Sequence, residues 1–578
     1  MKRAAVKDRK QTRSAVADAP LLPKPVSAGS WRLFALAALA AVSAILAYAP
    51  ALHGEFVFDD LHLPFLQPGA ISIPLQQWLG VRPLLMFTYW LNLHSGGVEP
   101  FPYHLVNLCF HFAASVLLFT VVRKILQLAA FPESRRISTA AVCAFIFLLH
   151  PMQTEAVSYV AQRGESMGAL FFLSAWAVFL YRKQAAISWR VTAAVLVLYG
   201  AAVATKEHTI TLPAVLLLTD FFFHPKIPGL AGIRRNWRLY LPIAILGALG
   251  SIFVVRYISR DAVSIGFSLK EFTWYQYFFT ECRVFFLYLA QFLLPLWQTV
   301  DHDFAVSRSF FDHGTAFALL GILALVALAI VFRKRYPLAS FGFLLFVLIL
   351  LPTSSVIPIK DVVADRRLYL PMTGLLLIVA ECLRRVRYSA VLSLVLIPVL
   401  AGSTWARNNA WSSSLNIWED AAEKAPGKQR VQFGLAVAEF REGRCHEAVD
   451  AYRRAAAIEK PDYTLLMNWS LALECDHQSA QAITKMQESL RDKPTAQAWA
   501  SMGVLYARQG NVDQAMEALM KGQVMDPTYL VTYLYRARIL QAMNRIPEAI
   551  QNVKVIVENQ PTDESAQLLL RQLQGQAH

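Results

Sequence analysis

Two adjacent carboxylates, Asp59 and Asp60, close the stretch Gly54-Glu55-Phe56-Val57-Phe58-Asp59-Asp60, just beyond the first long apolar segment. Carboxylates beside a membrane span can take a proton from a hydroxyl, so the pair is the first candidate for general-base chemistry. Taken alone, an acidic turn at a helix end is the commoner reading. Five further stretches argue against leaving it there. Arg82-Pro83-Leu84 comes next, followed by His104, Asn107 and His111, which share one helical face at i, i+3 and i+7. His150-Pro151 leads into Glu155 and Arg163, and Lys206-Glu207 opens a later apolar run. Asp361, Asp365, Arg366, Arg367 and Tyr369 precede another. Arg binds phosphate through paired hydrogen bonds and Lys as a point charge, so Arg82, Arg163, Lys206, Arg366 and Arg367 are candidates for a donor phosphate. His104, His111, His150, Glu155, Glu207 and Tyr369 are candidates for positioning donor or acceptor. Each has a plainer account: core histidines, an ion pair Lys206-Glu207 that serves packing, a topology marker at Arg366-Arg367. The histidine spacing does not suit zinc, and guanidinium and ammonium groups can neutralise a leaving phosphate, so no metal is called for. A glycine-rich phosphate loop is also absent, which disfavours a soluble sugar nucleotide as donor.

The elements that must hold these groups are membrane helices. The 578 residues are 56% hydrophobic and only 16% charged, against about 25% charged in an ordinary soluble chain. Apolar runs occupy 31–51, 104–122, 138–150, 166–181, 189–204, 207–223, 238–257, 274–296, 314–332, 337–352, 368–383 and 387–404, so about 11–13 spans are expected. The net charge of +15 sits in short clusters between these runs, as in cytoplasmic loops, and not on one basic face, which excludes nucleic acid as a partner. The basic N-terminus, with Lys2, Arg3, Lys7, Arg9, Lys10 and Arg13, precedes a segment too long for a signal peptide and reads as a cytoplasmic tail before an uncleaved helix. That orientation puts Asp59 and Asp60 outside. Alternation of loops holds to about 257 and again from about 314; between them the count is off by one. Either 274–296 is a re-entrant or interfacial pair of short helices, or one span is misassigned. If the later basic clusters are cytoplasmic, Arg366-Arg367 lies outside, against the positive-inside tendency, and that favours a specific anionic partner.

From about 406 onward the pattern is charged, helical and repetitive. Trp499, Gly503, Tyr506, Ala515, Leu519, Gly522 and Pro527 carry tetratricopeptide spacing, and a shift of 34 residues gives Tyr533, Ala537, Leu540, Ala549, Val553 and Pro561. Weaker units hold Ala448, Tyr452, Ala455 and Pro461, then Ser470, Ala482, Met486 and Pro494. Small residues recur where paired helices approach closely, and Pro ends each unit. Three parts follow: 1–30, a basic tail; 31–405, a multi-spanning domain; and 406–578, a repeat domain that binds a protein partner. The six cysteines show no CxxC pair and no disulfide framework, and Cys109, Cys143, Cys282 and Cys382 lie in apolar runs as expected buried thiols.

In this order, the motifs Gly54 to Asp60, Arg82-Pro83-Leu84, His104 to His111, His150-Pro151 with Glu155-Ala156-Val157 and Arg163, Lys206-Glu207, and Arg367-Leu368-Tyr369-Leu370-Pro371 resemble the transmembrane and tetratricopeptide-repeat O-mannosyltransferase family. Arg407, Trp411 and the repeats extend the likeness over nearly the whole chain. The resemblance implies an all-α, polytopic type C glycosyltransferase-like membrane domain followed by a tetratricopeptide-repeat α-solenoid. It also implies a polyprenyl-phosphate sugar, mannose in the family, as donor, with Asp59 and Asp60 as the catalytic pair and inversion at the anomeric carbon. The expected function is transfer of that sugar to a protein or glycan hydroxyl, with membrane lipids around the protein and no metal cofactor. The short basic N-terminus reads as bacterial, placing catalytic loops and repeats in the periplasm; a eukaryotic chain would face the endoplasmic reticulum lumen. Two other functions compete: a polysaccharide polymerase or ligase using a lipid pyrophosphate, and a non-enzymatic membrane-anchored repeat scaffold.

Overall fold

The computed structural model describes residues 30–67, 69–182, 186–223, 230–260, 265–267, 269–561 and 563–576. The basic tail, with Lys2 through Arg13, lies outside the described residues, as does Lys183 of one loop cluster. The protein is all-α: a helical membrane domain is followed by a tetratricopeptide-repeat solenoid.

Four helices among the described residues are long and apolar enough to cross a membrane: Trp31–Leu52, Pro100–Leu128, Asp312–Lys334 and Ser389–Ala410. A fifth candidate is bent by 53° where Glu133–Leu149 meets Pro151–Ser158. The bend falls at His150-Pro151, because Pro cannot donate the backbone hydrogen bond that would continue the helix. Apolar side chains cover the outside of the domain: Phe317 is 81% exposed and Leu394 75%. In water such faces would demand burial; against lipid they are satisfied. The inner faces form a continuous core through Leu118, Phe147, Trp176, Phe346 and Leu376.

Two expectations about this domain are corrected. Residues 274–296 are not a pair of short helices: Trp274–Leu293 is one unbroken helix, whose Glu281 is buried against Arg367 at 3.2 Å. Of the thiols expected to be buried, only Cys143 and Cys282 are; Cys109 and Cys382 sit on outer helix faces and are exposed.

The repeats follow as helix pairs: Gln429–Arg441 with Cys445–Ile458, Tyr463–Cys475 with Ser479–Asp492, Ala496–Arg508 with Val512–Met525, and Val531–Ala542 with Ile546–Asn559. Glu564–Gln576 packs on the last pair through Leu573. Ala448, Ala482, Ala515 and Ala549 are all fully buried where paired helices meet. Cys445 and Cys475 form a disulfide between the first two pairs, with Cα atoms 5.7 Å apart. The absence of a disulfide framework in the sequence pattern is thereby corrected: the two cysteines are 30 residues apart, nearly one repeat, so stacking brings equivalent corners together.

Candidate active site at the junction of membrane and repeat domains

The segment after the first helix runs across the start of the repeat region. A side chain at Gly54 would put its Cβ 2.8 Å from the Trp411 carbonyl oxygen, so the close approach requires glycine. Glu55 N–H donates to the Ser412 carbonyl at 3.3 Å, and Glu55 Oε2 accepts from Ser414 N–H at 3.2 Å. Phe58 has a φ of 50°, a left-handed conformation that is costly for a bulky residue and is found where packing enforces it. Here the enforcement is aromatic. Its ring lies 4.7 Å from Trp418 and 5.7 Å from Tyr159.

That kink sends Asp59 and Asp60 to opposite environments. Asp60 is fully buried; its Oδ1 accepts from Ala161 N–H at 2.6 Å and its Oδ2 from Val57 N–H at 3.1 Å. Burial pushes its carboxyl up to about 7, against the lowering pull of the Val57 and Ala161 N–H groups. Asp59 is exposed. Its N–H donates to the Tyr159 hydroxyl at 2.9 Å, and it lines a cleft of about 350 Å³ with Glu155, Tyr159, Arg366, Trp418 and Arg430. The floor comes from the membrane domain and one wall from the first repeat.

Arg366 is held in that cleft by carboxylates. Its N–H donates to Glu155 Oε2 at 2.8 Å, its guanidinium pairs with Glu155 Oε1, and Nη2 reaches Asp361 at 3.4 Å. Burial alone would lower its proton affinity, but Glu155 and Asp361 raise it above the ordinary guanidinium range. Asp361 in turn accepts from Arg430 at 3.0 Å, and Arg430 and Lys428 both pair with Asp301. A chain of alternating charges thus ties the first repeat helix to Arg366.

Other candidate residues sit beneath or beside the cleft. Arg163 is fully buried, donating to Asn107 at 2.6 Å, Thr88 at 3.0 Å and the Tyr103 carbonyl at 3.2 Å, with its guanidinium 4.4 Å over the Tyr89 ring. Arg367 points away from Arg366, toward Glu281, Tyr277 and the Val362 carbonyl. The histidines are interior struts. His104 donates to the Gly54 carbonyl at 3.2 Å. His111 donates to the Leu148 carbonyl at 3.1 Å and accepts from the Tyr369 hydroxyl at 2.7 Å. His150 donates to the Phe292 carbonyl at 3.0 Å.

Lys206 and Glu207 are not paired with each other. Lys206 meets Glu165 at 2.9 Å, and Glu207 takes both arms of Arg82, at 2.7 and 3.0 Å. The extended backbone of Lys206 turns the two side chains to opposite sides, so adjacency in sequence does not become a contact. Burial favours the neutral form of Lys206 and Arg82 reinforces that, while Glu165 opposes it; the net effect lowers its proton affinity. Glu207 also lines an apolar cavity of about 450 Å³ with Val81, Pro83, Tyr199 and Leu249.

Sequence reasoning did not find Tyr159, Asp301, Trp418 or Arg430. Tyr159 lies near Arg163 and could have been read with it. Asp301 and Arg430 come together across 129 positions, and no local pattern signals that.

No family model matches the chain. Curated proteins do. It is 22% identical over 444 residues to protein O-mannosyl-transferase F38B6.6 of Caenorhabditis elegans, covering 72% of this chain and 62% of that protein. It is 24% identical over 521 residues to protein O-mannosyl-transferase TMTC3 of Mus musculus, covering 80% of this chain and 55% of that protein. The chain is similar to protein O-mannosyl-transferases of this kind. It spans 62% and 55% of the lengths of these two relatives. Among solved structures, a thermophilic TPR protein of Thermus thermophilus aligns at 18% identity over 31% of this chain and 95% of that one, with a TM-score of 0.26, too low to bear on the fold.

Proposed function

We propose that the protein is a membrane glycosyltransferase that moves a sugar from a polyprenyl phosphate to a hydroxyl acceptor, with Asp59 as the general base. The observation that carries this reading is the division of labour between the two carboxylates: Asp59 is exposed in the same cleft as the Arg366 guanidinium, while both oxygens of Asp60 are committed to backbone N–H groups below it. The relatives' names supply mannose as the sugar and protein as the acceptor.

In the proposed step the acceptor oxygen attacks the anomeric carbon as Asp59 removes its proton. The bond from that carbon to the phosphate oxygen breaks, and the electron pair leaves with the polyprenyl phosphate. Attack opposite the leaving group inverts the anomeric centre. Arg366 neutralises charge developing on the leaving phosphate. The apolar cavity beside Glu207 suits the first isoprene units of the donor, with Glu207 and its partner Arg82 on the polar side. Arg163 and Arg367 hold the frame, and the histidines, Glu155 and Tyr369 fix the helices and Arg366. The Cys445–Cys475 disulfide supports an extracytoplasmic repeat domain, because disulfides persist in oxidising compartments.

The test is transfer by the purified protein from a polyprenyl-phosphate mannose to a threonine peptide. Asp59→Asn is expected to lose at least about 10²-fold in kcat while keeping its melting temperature. Full transfer by Asp59→Asn would overturn the reading.

A further inference from the structure

One wall of the cleft that Asp59 lines is a face of the helix Gln429–Arg441. Arg430, Phe433, Gly434, Val437 and Arg441 line it, at spacings that place them along a single stripe. Phe433 and Val437 form an apolar ridge, and Trp418 lies flat against the helix because Gly434 leaves room: a Cβ there would stand 2.3 Å from the Trp418 ring. The two ends of the stripe differ. Arg430 is bound to Asp301 and Asp361 and so belongs to the charge chain that ends at Arg366. Arg441 is exposed, and among the described residues it has no ion-pair partner. Between these two guanidiniums the helix offers no polar side chain to the cleft.

We propose that this cleft binds the acceptor as an extended polypeptide, with its hydroxyl residue at the Asp59 and Arg366 end and an acidic side chain about five residues away on Arg441. The inference rests on the glycosyltransferase reading and adds how a protein acceptor is held: as an extended segment with an acidic residue at a set distance from the hydroxyl. The spacing follows from helix geometry. Arg430, joined to Arg366 through Asp361, marks one end; from it to Arg441 eleven helical residues rise about 16 Å, which an extended chain spans in about five residues at ~3.3 Å each. The ridge between takes one apolar side chain in the middle of the segment. A glycan would need paired hydrogen-bonding groups along that wall, and the ridge of Phe433 and Val437 supplies none. Charge complementarity selects an acidic over a basic segment, because the one cation of the wall without a partner among the described residues is Arg441.

Binding can be measured apart from transfer, on the full-length protein in detergent. The probes are ten-residue peptides with one Thr, a central Val, and Glu or Lys five positions from the Thr on either side. The Glu peptide is expected to bind about fivefold tighter than the Lys peptide, and Arg441→Glu to reverse that preference. Gly434→Ala, which displaces Trp418, weakens both peptides about equally. Asp59→Asn binds like the wild type, so retained peptide binding beside intact transfer in Asp59→Asn would remove the catalytic reading and leave the cleft assignment standing. A Glu preference unchanged by Arg441→Glu, or displacement of the peptide by a mannose oligosaccharide at equal concentration, would overturn the proposal.

Discussion

The two cavities of the candidate site differ in the residues that line them and in how charge is held there. In the outer cleft the charges are shared: Asp301 serves Lys428 and Arg430, Asp361 serves Arg430 and Arg366, and Arg366 keeps 21% of its side chain exposed. In the apolar cavity Glu207 is the one charged residue of the lining, held by both arms of Arg82, and the remaining lining is aliphatic, aromatic or glycine. A shared network can exchange partners at low cost, whereas a forked pair at the rim of an apolar cavity loses both bonds when one member is removed. The first arrangement suits groups that arrive from water and change charge during reaction. The second suits an anchored lipid chain with its polar head at the rim.

The comparison is broken most directly at Arg366. Arg366→Lys keeps the charge and loses the forked pairing with Glu155 and Asp361, and we expect kcat to fall about 10²-fold with donor KM nearly unchanged, measured by initial rates of transfer. A change confined to KM would mean that Arg366 only binds. In the other cavity, Arg82→Lys gives up one of its two bonds to Glu207 and is expected to raise donor KM about tenfold, with acceptor KM unmoved. If acceptor KM rises instead, the two cavities are not separate in function. The effect on stability, as distinct from rate, lies in Asp60. Its carboxyl titrates near 7 in the folded protein against an ordinary value of 3.8, so between these values the folded state binds a proton that the unfolded state does not. Stability from this group is therefore fully present below the ordinary value and is lost as pH rises toward 7. Melting temperature should fall over that window in the wild type, and that part of the slope should be missing in Asp60→Asn.

Periodicity carried the repeats far because each helix pair answers to local rules: Gly503 and Ala515 sit where a larger side chain would strike the partner helix, and their spacing is visible within one unit. The first membrane helix was legible for a similar reason, its apolar length, whereas the 53° bend at His150-Pro151 was not read from the sequence, where that stretch stood as an outer loop. The run 274–296 was legible as apolar, but its continuity as one helix past Glu281 was left open, because that carboxylate finds Arg367 only through the fold. The adjacency of Lys206 and Glu207 misled, since chain neighbours in extended backbone point apart and each found a partner from elsewhere.

By itself the sequence determined the kinds of helix, the repeat unit and the set of charged residues too costly to place near lipid without partners. Which carboxylate of the Asp pair faces the cleft, which cations pair inward and which remain at its surface were decided only by tertiary structure. The physical reason is that a charge in low dielectric is controlled by what comes within a few ångströms of it, and for Asp59, Asp60 and Arg366 those neighbours arrive from 100 or more positions away.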